Sequence, residues 1–313
     1  MFIRQAAFET FSHPLLKGGL HCHTSRSDGK VAPDETIRNY KAHGYDFLAL
    51  TDHRYYNYQN FAPDTDIVII PGMEADASLP AGSKKGMCYH IVAIGPDDER
   101  NLYKQDERIE SRHVNDQEDY QSDIDEILRR GNLAIYCHPE WSCTPVSRFE
   151  RLKGFFAIEV MNYGCVLEDR LDVDNGYVWD ELLMNGRRIF GVATDDCHGL
   201  RHQCFGWVRV RAERNVDSIL KALQAGAFYA SGGPEIYDFT YEDGTAKLKC
   251  SPCESVKFYI GVRPTRIVKK TDCEITEAEM KLYEKAPYVR AVCTDSQGRM
   301  AWTNPIFLEG FEE

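Results

Sequence analysis

Between Lys17 and about Phe228, short apolar runs nearly unbroken by polar residues alternate with stretches of helical periodicity. LKGGLHCHT, DFLALTDH, DIVIIPGMEA, CYHIVAIG, NLAIYCHPEW, FFAIEVMNYG, RRIFGVATDDCHG and CFGWVRVRA read as strands. A strand covered by helices on both faces loses the polar alternation of a half-exposed one. The segments between them fit helices. PDETIRNYKAHG has Pro33 near its start, Asp34 and Glu35 in the first turn and Gly44 as a stop. NDQEDYQSDIDEILRRG sets Ile124, Ile127 and Leu128 on one face, and NGYVWDELLMNG and VDSILKALQAG continue the series. The pattern predicts an α/β fold whose parallel sheet is covered by helices, either open or closed into a barrel.

After ASGGPEI the pattern changes to alternating apolar and polar residues around the turn pairs Asp243-Gly244 and Gln297-Gly298. This predicts a small antiparallel β domain of roughly eighty residues, with the boundary near Gly233 dividing 1–233 from 234–313. KKTDCEITEAEMKLYEKAP, between two of its strands, reads as a polar loop or short helix. A length of 313 residues, 43% of them hydrophobic, accommodates one large and one small domain with substantial cores.

A net charge of -12 disfavours binding to nucleic acid over the whole surface. No apolar segment approaches the length of a membrane span. MFIRQAAFETFSHPLLKGG lacks the basic start, apolar run and cleavage site of a secretory signal, so the eleven scattered cysteines read as reduced thiols of a cytoplasmic protein. The single Cys-x-x-Cys, Cys250 and Cys253, has no second pair and is a weak candidate for structural zinc.

Six of the ten histidines fall in or just after the strand runs: His21, His23, His53, His90, His138 and His198. In parallel α/β folds, sites are built at the carboxyl ends of strands. His90 is the inconsistency, since it lies near the start of its strand. Residues two apart in a strand point the same way, so His21 and His23 can grip one ion, and Asp196 and His198 repeat the device. Cys22 and Cys197 then face away, into the wall. Glu74 and Asp28 add carboxylates, and Asp52 precedes His53. Imidazole with carboxylate suits Mn, Fe or Zn. Nine candidate ligands exceed the needs of one ion, which implies two or three with Glu74 bridging. His13, His43 and His113 read as ordinary polar residues, with His202 a minor candidate for substrate contact.

HCHTSRSDG, GYDFLALTDH, GME, YHIVAIG, CHPEW and DDCHG, in this order, resemble the PHP family of polymerases and histidinol phosphatases over roughly Gly19 to Gly199. The resemblance implies a distorted (β/α)7 barrel with a di- or trinuclear metal centre. It places His21, His23, Glu74 and Asp196 on a first ion, Glu74, His90 and His138 on a second, and Asp28, His53 and His198 on a third. Asp195 and Asp52 would orient ligands. GAFYASGGPEI and GRMAWTNPIFL resemble a subgroup with a β domain after the barrel, one of phosphoesterases that is also similar to metallohydrolases of carbamates and carboxylic esters.

The function expected is hydrolysis of a small phosphate ester through a metal-bound hydroxide, with Glu74, Asp196 and His198 at the catalytic centre. Arg54 and Arg201 follow metal motifs directly and are candidates to grip phosphate, and Asn162 could line the pocket. A carbamate or carboxylic ester hydrolase on the same ligands is the alternative, and a non-catalytic metal-binding module is the third. An amidohydrolase-type barrel also opens with His-x-His, but Asp-x-His and the strand-end Glu74 argue against it.

Overall fold

A computed structural model describes residues 1–9, 12–79, 86–270, 273–282 and 285–308. The first half runs β1 (Phe2–Arg4), β2 (Leu15–Gly19), α1 (Pro33–Ala42), β3 (Phe47–Ala49), β4 (Val68–Ile70), β5 (Gly72–Ser78), β6 (Cys88–Ile94) and β7 (Arg112–His113). There follow α2 (Gln117–Arg129), β8 (Leu133–Tyr136), β9 (Phe155–Asn162), α3 (Tyr163–Asp169), α4 (Gly176–Met184), β10 (Phe190–Thr194), β11 (Trp207–Arg211), α5 (Val216–Gln224) and β12 (Phe228–Ser231). The remainder is all strand: β13 (Ile236–Glu242), β14 (Thr245–Cys253), β15 (Ser255–Tyr259), β16 (Pro264–Lys269), β17 (Ile275–Lys281), β18 (Tyr288–Thr294), β19 (Met300–Thr303) and β20 (Ile306–Phe307).

Helix signals read from sequence hold where capping chemistry is local. In α1, Pro33 sits in the first turn with Asp34 and Glu35, and Gly44 follows the end at φ +77°. The Asp116 side chain caps α2 by accepting from the Asp119 N–H, and Asn215 caps α5 by accepting from Ser218. Ile124 and Ile127 are buried as their spacing predicts.

The expected parallel sheet is only partly present. β2, β3 and β4 are mutually parallel, as are β8, β9 and β10. However, β6 is antiparallel to both β5 and β8, and β2 is antiparallel to β11. Only Leu79–Met87 separates β5 from β6, too little chain for the crossover that a parallel pair needs. Burial on both faces produces the same apolar run whichever way a strand points. Pro71 also splits one expected strand into β4 and β5, which lie in different sheets. The sheets β10-β9-β8-β6-β5-β7 and β16-β15-β18-β19-β12-β11-β2-β3-β4 meet at isolated parallel bridges, Cys22 with Cys197 and His53 with Glu74.

The antiparallel region is larger than the sequence suggests. β12 pairs with β11 on one side and β19 on the other, so this sheet, brought to ten strands by β20 pairing with β18, runs continuously into the carboxy-terminal strands. β1 joins a further sheet, β1-β13-β14-β17. The Asp243-Gly244 turn has both residues at positive φ, the pairing required by a two-residue hairpin. The stretch expected to be loop or short helix contains strand β17, paired with β14. Its polar residues face solvent while Ile275 and Met280 are buried, and residues 271, 272, 283 and 284 lie outside the described residues.

Candidate metal centre

The side chains singled out from sequence converge where β2, β3, β8 and β10 end. His21 and His23 follow β2, His53 follows β3, His138 follows β8, and Asp196 and His198 follow β10. Reversed strand direction resolves the anomaly at His90. Because β6 is antiparallel to β8, Ile91 pairs with Tyr136 and the Cys137 N–H donates to the His90 carbonyl, level with the carboxyl end of β8. Glu74 arrives just past the corner at Pro71.

Four buried donor atoms face one point. His21 Nε2 lies 3.1 Å from His23 Nε2, 3.4 Å from Glu74 Oε2 and 3.3 Å from Asp196 Oδ1. His23 Nε2 lies 3.3 Å from Glu74 Oε2 and 3.0 Å from Asp196 Oδ1. An ion about 2.0–2.1 Å from each of four tetrahedral donors would set them roughly 3.3–3.4 Å apart. Glu74 Oε2 and Asp196 Oδ1 are buried and receive no hydrogen bond. Since buried carboxylate oxygens are almost always satisfied, two orphans facing imidazole nitrogens fit a cation between them. The residues present therefore fit one or more divalent ions.

The other oxygen of Glu74, Oε1, faces His90 Nδ1 at 2.9 Å and His138 Nε2 at 3.3 Å, while His53 Nδ1 lies 2.9 Å from Oε2. Glu74 thus stands between two sets of imidazoles. Around Asp28 the spacing is looser: 3.8 Å to His23 Nδ1, 3.7 Å to His53 Nε2 and 3.5 Å to His198 Nε2. Gly29 holds this loop close, because a Cβ there would come within 2.7 Å of the Thr24 nitrogen.

The electrostatics match a site built for positive charge. Burial opposes protonation of His23, yet the adjacent Asp196 and Glu74 carboxylates raise its pKa to about 10. His21 and His90 are raised against the same penalty, by Asp196 and Glu74 and by Glu74 respectively. Burial opposes ionisation of Glu74 and Asp196, and the surrounding histidines overcome it and hold both well below the usual carboxylate range.

A supporting shell orients these donors. Glu159, fully buried in β9, accepts from His21 Nδ1 at 2.7 Å and Thr194 Oγ1 at 2.6 Å through one oxygen. Its other oxygen accepts from the His138 backbone N–H and Asn162 Nδ2, both at 2.8 Å. Sequence reasoning missed Glu159; the signal was a lone carboxylate inside the apolar run FFAIEVMN. Asn162 does not line the cavity but holds Asp196 Oδ2 at 3.0 Å from beneath. Asp195 accepts from the Tyr40 hydroxyl and the N–H groups of Cys204, Phe205 and Gly206, with its pKa raised by burial to about 6. Asp52 accepts from Thr24 and Ser27 and fixes the loop that carries Asp28. His138 and Asp196 have positive φ, 24° and 44°, a strain of about 1–3 kcal/mol each that this shell maintains. Cys22 and Cys197 are buried away from the cavity among Ile37, Tyr40 and Tyr45.

The centre opens into a cavity of about 340 Å³, lined also by Lys30, Trp141, Cys165 and Glu168. Lys30 and Trp141 were not anticipated. The Trp141 ring stands edge-on to His138 at 5.0 Å. Arg54 and Arg201 are not brought to this lining: the Arg54 Nε lies 3.4 Å from Asp76, and Arg201 is exposed, 4.0 Å from Glu168. His202 is buried and accepts from the His198 N–H. His43 lies at the end of α1, and His113 is exposed on β7.

Residues 19–144 match the PHP domain family. The PHP match contains His21, His23, Asp28, His53, Glu74, His90 and His138, and Asp196 and His198 lie beyond it. No curated protein matches the chain. Among solved structures, a two-domain protein from Bacteroides vulgatus containing a predicted PHP-like metal-dependent phosphoesterase aligns over 95% of this chain and 96% of its own, at 17% identity and a TM-score of 0.48. An amidohydrolase from Chromobacterium violaceum aligns over 58% and 88%, at 16% identity and 0.39. A protein from Bifidobacterium adolescentis described as a candidate metal-dependent phosphoesterase aligns over 58% and 87%, at 14% and 0.36. No described helix is long and apolar enough to cross a membrane.

Proposed function

We propose that the chain is a PHP-type hydrolase with two or three divalent ions, Mn, Fe or Zn, acting on a small phosphate ester. A distorted (β/α)7 barrel is part of the same proposal. The observation that carries it is the pair of orphaned buried oxygens, Glu74 Oε2 and Asp196 Oδ1, each within 3.4 Å of two histidine nitrogens. Ions held there would polarise the ester and make water nucleophilic near neutral pH.

The protein's own groups do the rest. His21, His23, Glu74 and Asp196 would hold one ion, Glu74 with His90 and His138 a second, and Asp28, His53 and His198 a third. Glu159 keeps the His21 proton on Nδ1, leaving Nε2 as donor. The His198 Nδ1–H donates to the Asp196 carbonyl at 3.0 Å, which likewise frees Nε2. Lys30 brings a positive charge to the cavity, and Trp141 offers an apolar wall for the leaving group.

One observation favours the second reading, a carbamate or carboxylic ester hydrolase. Lys30 is the one Lys or Arg among the residues lining the cavity, and both arginines expected to grip phosphate lie outside that lining. Metal content measured by elemental analysis should reach at least two ions per chain. The Mn-, Fe- and Zn-loaded protein should then turn over phosphomonoesters or phosphodiesters faster than carbamates and carboxylic esters. The reverse order would establish the second reading, and inactivity against every ester with metal bound would leave a binding module.

A further inference from the structure

The Cys-x-x-Cys pair acquires a third thiol from a different sheet. Cys250 and Cys253 end β14, in the sheet β1-β13-β14-β17, while Cys293 lies on β18 of the ten-stranded sheet. Strict alternation would turn Cys253 away from Cys250. A register shift between Lys249 and Cys253 breaks that alternation, and both side chains are buried at 1% exposure, with Cys293 at 0%. The three sulfurs lie within 4.8 Å of one another. Sulfurs about 2.3 Å from a tetrahedral ion are separated by roughly 3.8 Å, so a small inward adjustment completes the geometry.

We infer that Cys250, Cys253 and Cys293 form a buried three-thiolate site for a thiophilic cation of the zinc class, which ties the two sheets of the carboxy-terminal half together. Thiolates select soft ions over the hard ions that suit carboxylates. Binding releases the thiol protons to solvent and forms metal–sulfur bonds, with no oxidation. Three thiolates around a divalent ion leave a net charge of -1, whereas a monovalent ion would leave -2, so burial favours the divalent case. Such a site would contribute its binding energy directly to folding.

The test uses the full chain, reduced and stripped of metal, in a His21→Ala/Asp196→Ala background that disables the histidine and carboxylate centre. Cobalt(II) should then bind at one equivalent and give the intense near-ultraviolet charge-transfer absorption of thiolate ligation. Zinc should bleach that absorption stoichiometrically and raise the melting temperature. Cys293→Val should abolish the absorption. If that variant does not fold, the absorption in the parent background decides alone. A folded, reduced parent without the band overturns the site, as does alkylation mapping that finds two of the three cysteines joined in a disulfide under reducing conditions.

Discussion

Glu159 and His21, 138 residues apart, share a 2.7 Å hydrogen bond in which the buried carboxylate fixes the ring so that Nε2 faces Glu74 and Asp196. The same carboxylate holds the backbone of His138, so one buried residue orients donors on both sides of Glu74. Glu159→Gln keeps the shape but replaces one acceptor oxygen with a donor. Metal affinity should fall about 10- to 100-fold, the usual cost of losing such a partner. Competition with a chromophoric chelator would measure it, and a circular dichroism spectrum unchanged from the parent would show that the fold persists. Unaltered affinity would show that the His21 ring is held by packing alone.

Protons and ions compete for the same nitrogens. His23 has its folded-state pKa raised to about 10, against roughly 6.5 unfolded. In the metal-free protein its contribution to stability is therefore complete below about pH 6.5 and is lost as pH rises through about 10. Glu74 and Asp196 are depressed, so their contribution is present above the ordinary carboxylate range and is lost only in stronger acid. The chelated protein should accordingly show its highest melting temperature between about pH 4.5 and 6.5 and decline on the alkaline side. Metal binding should release protons, with affinity rising from pH 6 to 8. A metal-free protein whose melting temperature climbs between pH 6.5 and 10 would contradict this electrostatic account.

How much of this was legible in sequence depended on whether the signal was local. Pro33 and Gly44 punctuate α1 by their own backbone preferences, and Asp243-Gly244 demands its hairpin, so those elements were readable. His21 with His23, and Asp196 with His198, were readable because strand alternation fixes which side chains share a face. The direction of β6 was not, since an apolar run carries no polarity, and His90 consequently looked misplaced. β17 was missed because only Ile275 and Met280 face inward among its polar residues. Cys293 meets Cys250 and Cys253 only through sheet packing. Lys30 and Trp141 reach the cavity through loop conformations that no periodicity encodes.

Lys30 and Arg201 should separate under mutation. Lys30 lines the cavity, whereas Arg201 is exposed and directed to Glu168. For an anionic ester, Lys30→Ala should raise KM about 3- to 10-fold, equivalent to roughly 1 kcal/mol for a solvent-accessible charge, with kcat changed less. Arg201→Ala should leave both within error. Steady-state kinetics on the best phosphoester of the panel would decide. Loss of kcat with Arg201→Ala would return that arginine to the site, through a loop movement on substrate binding.

A buried ion pair seats α4 on the carboxy-terminal strands. Asp180 on α4 and Arg290 on β18 are both fully buried and joined bidentately at 2.5 and 2.7 Å, with the Tyr288 hydroxyl also donating to Asp180. The guanidinium lies over the rings of Tyr259 and Trp179, at 4.2 and 4.8 Å. Removing one partner strands a buried charge, while removing both does not. Arg290→Met alone should therefore cost about 3–5 kcal/mol and lower the melting temperature by roughly 10 °C. The double variant Asp180→Leu/Arg290→Met should recover most of that loss, because the desolvation of two charges is relieved along with their attraction. Thermal unfolding of Asp180→Leu, Arg290→Met, the double variant and the parent, at equal metal loading, measures the coupling. If the double variant is destabilised by the sum of the single effects, the pair acts as two independent packing groups and the ionic bond between helix and strand contributes nothing of its own.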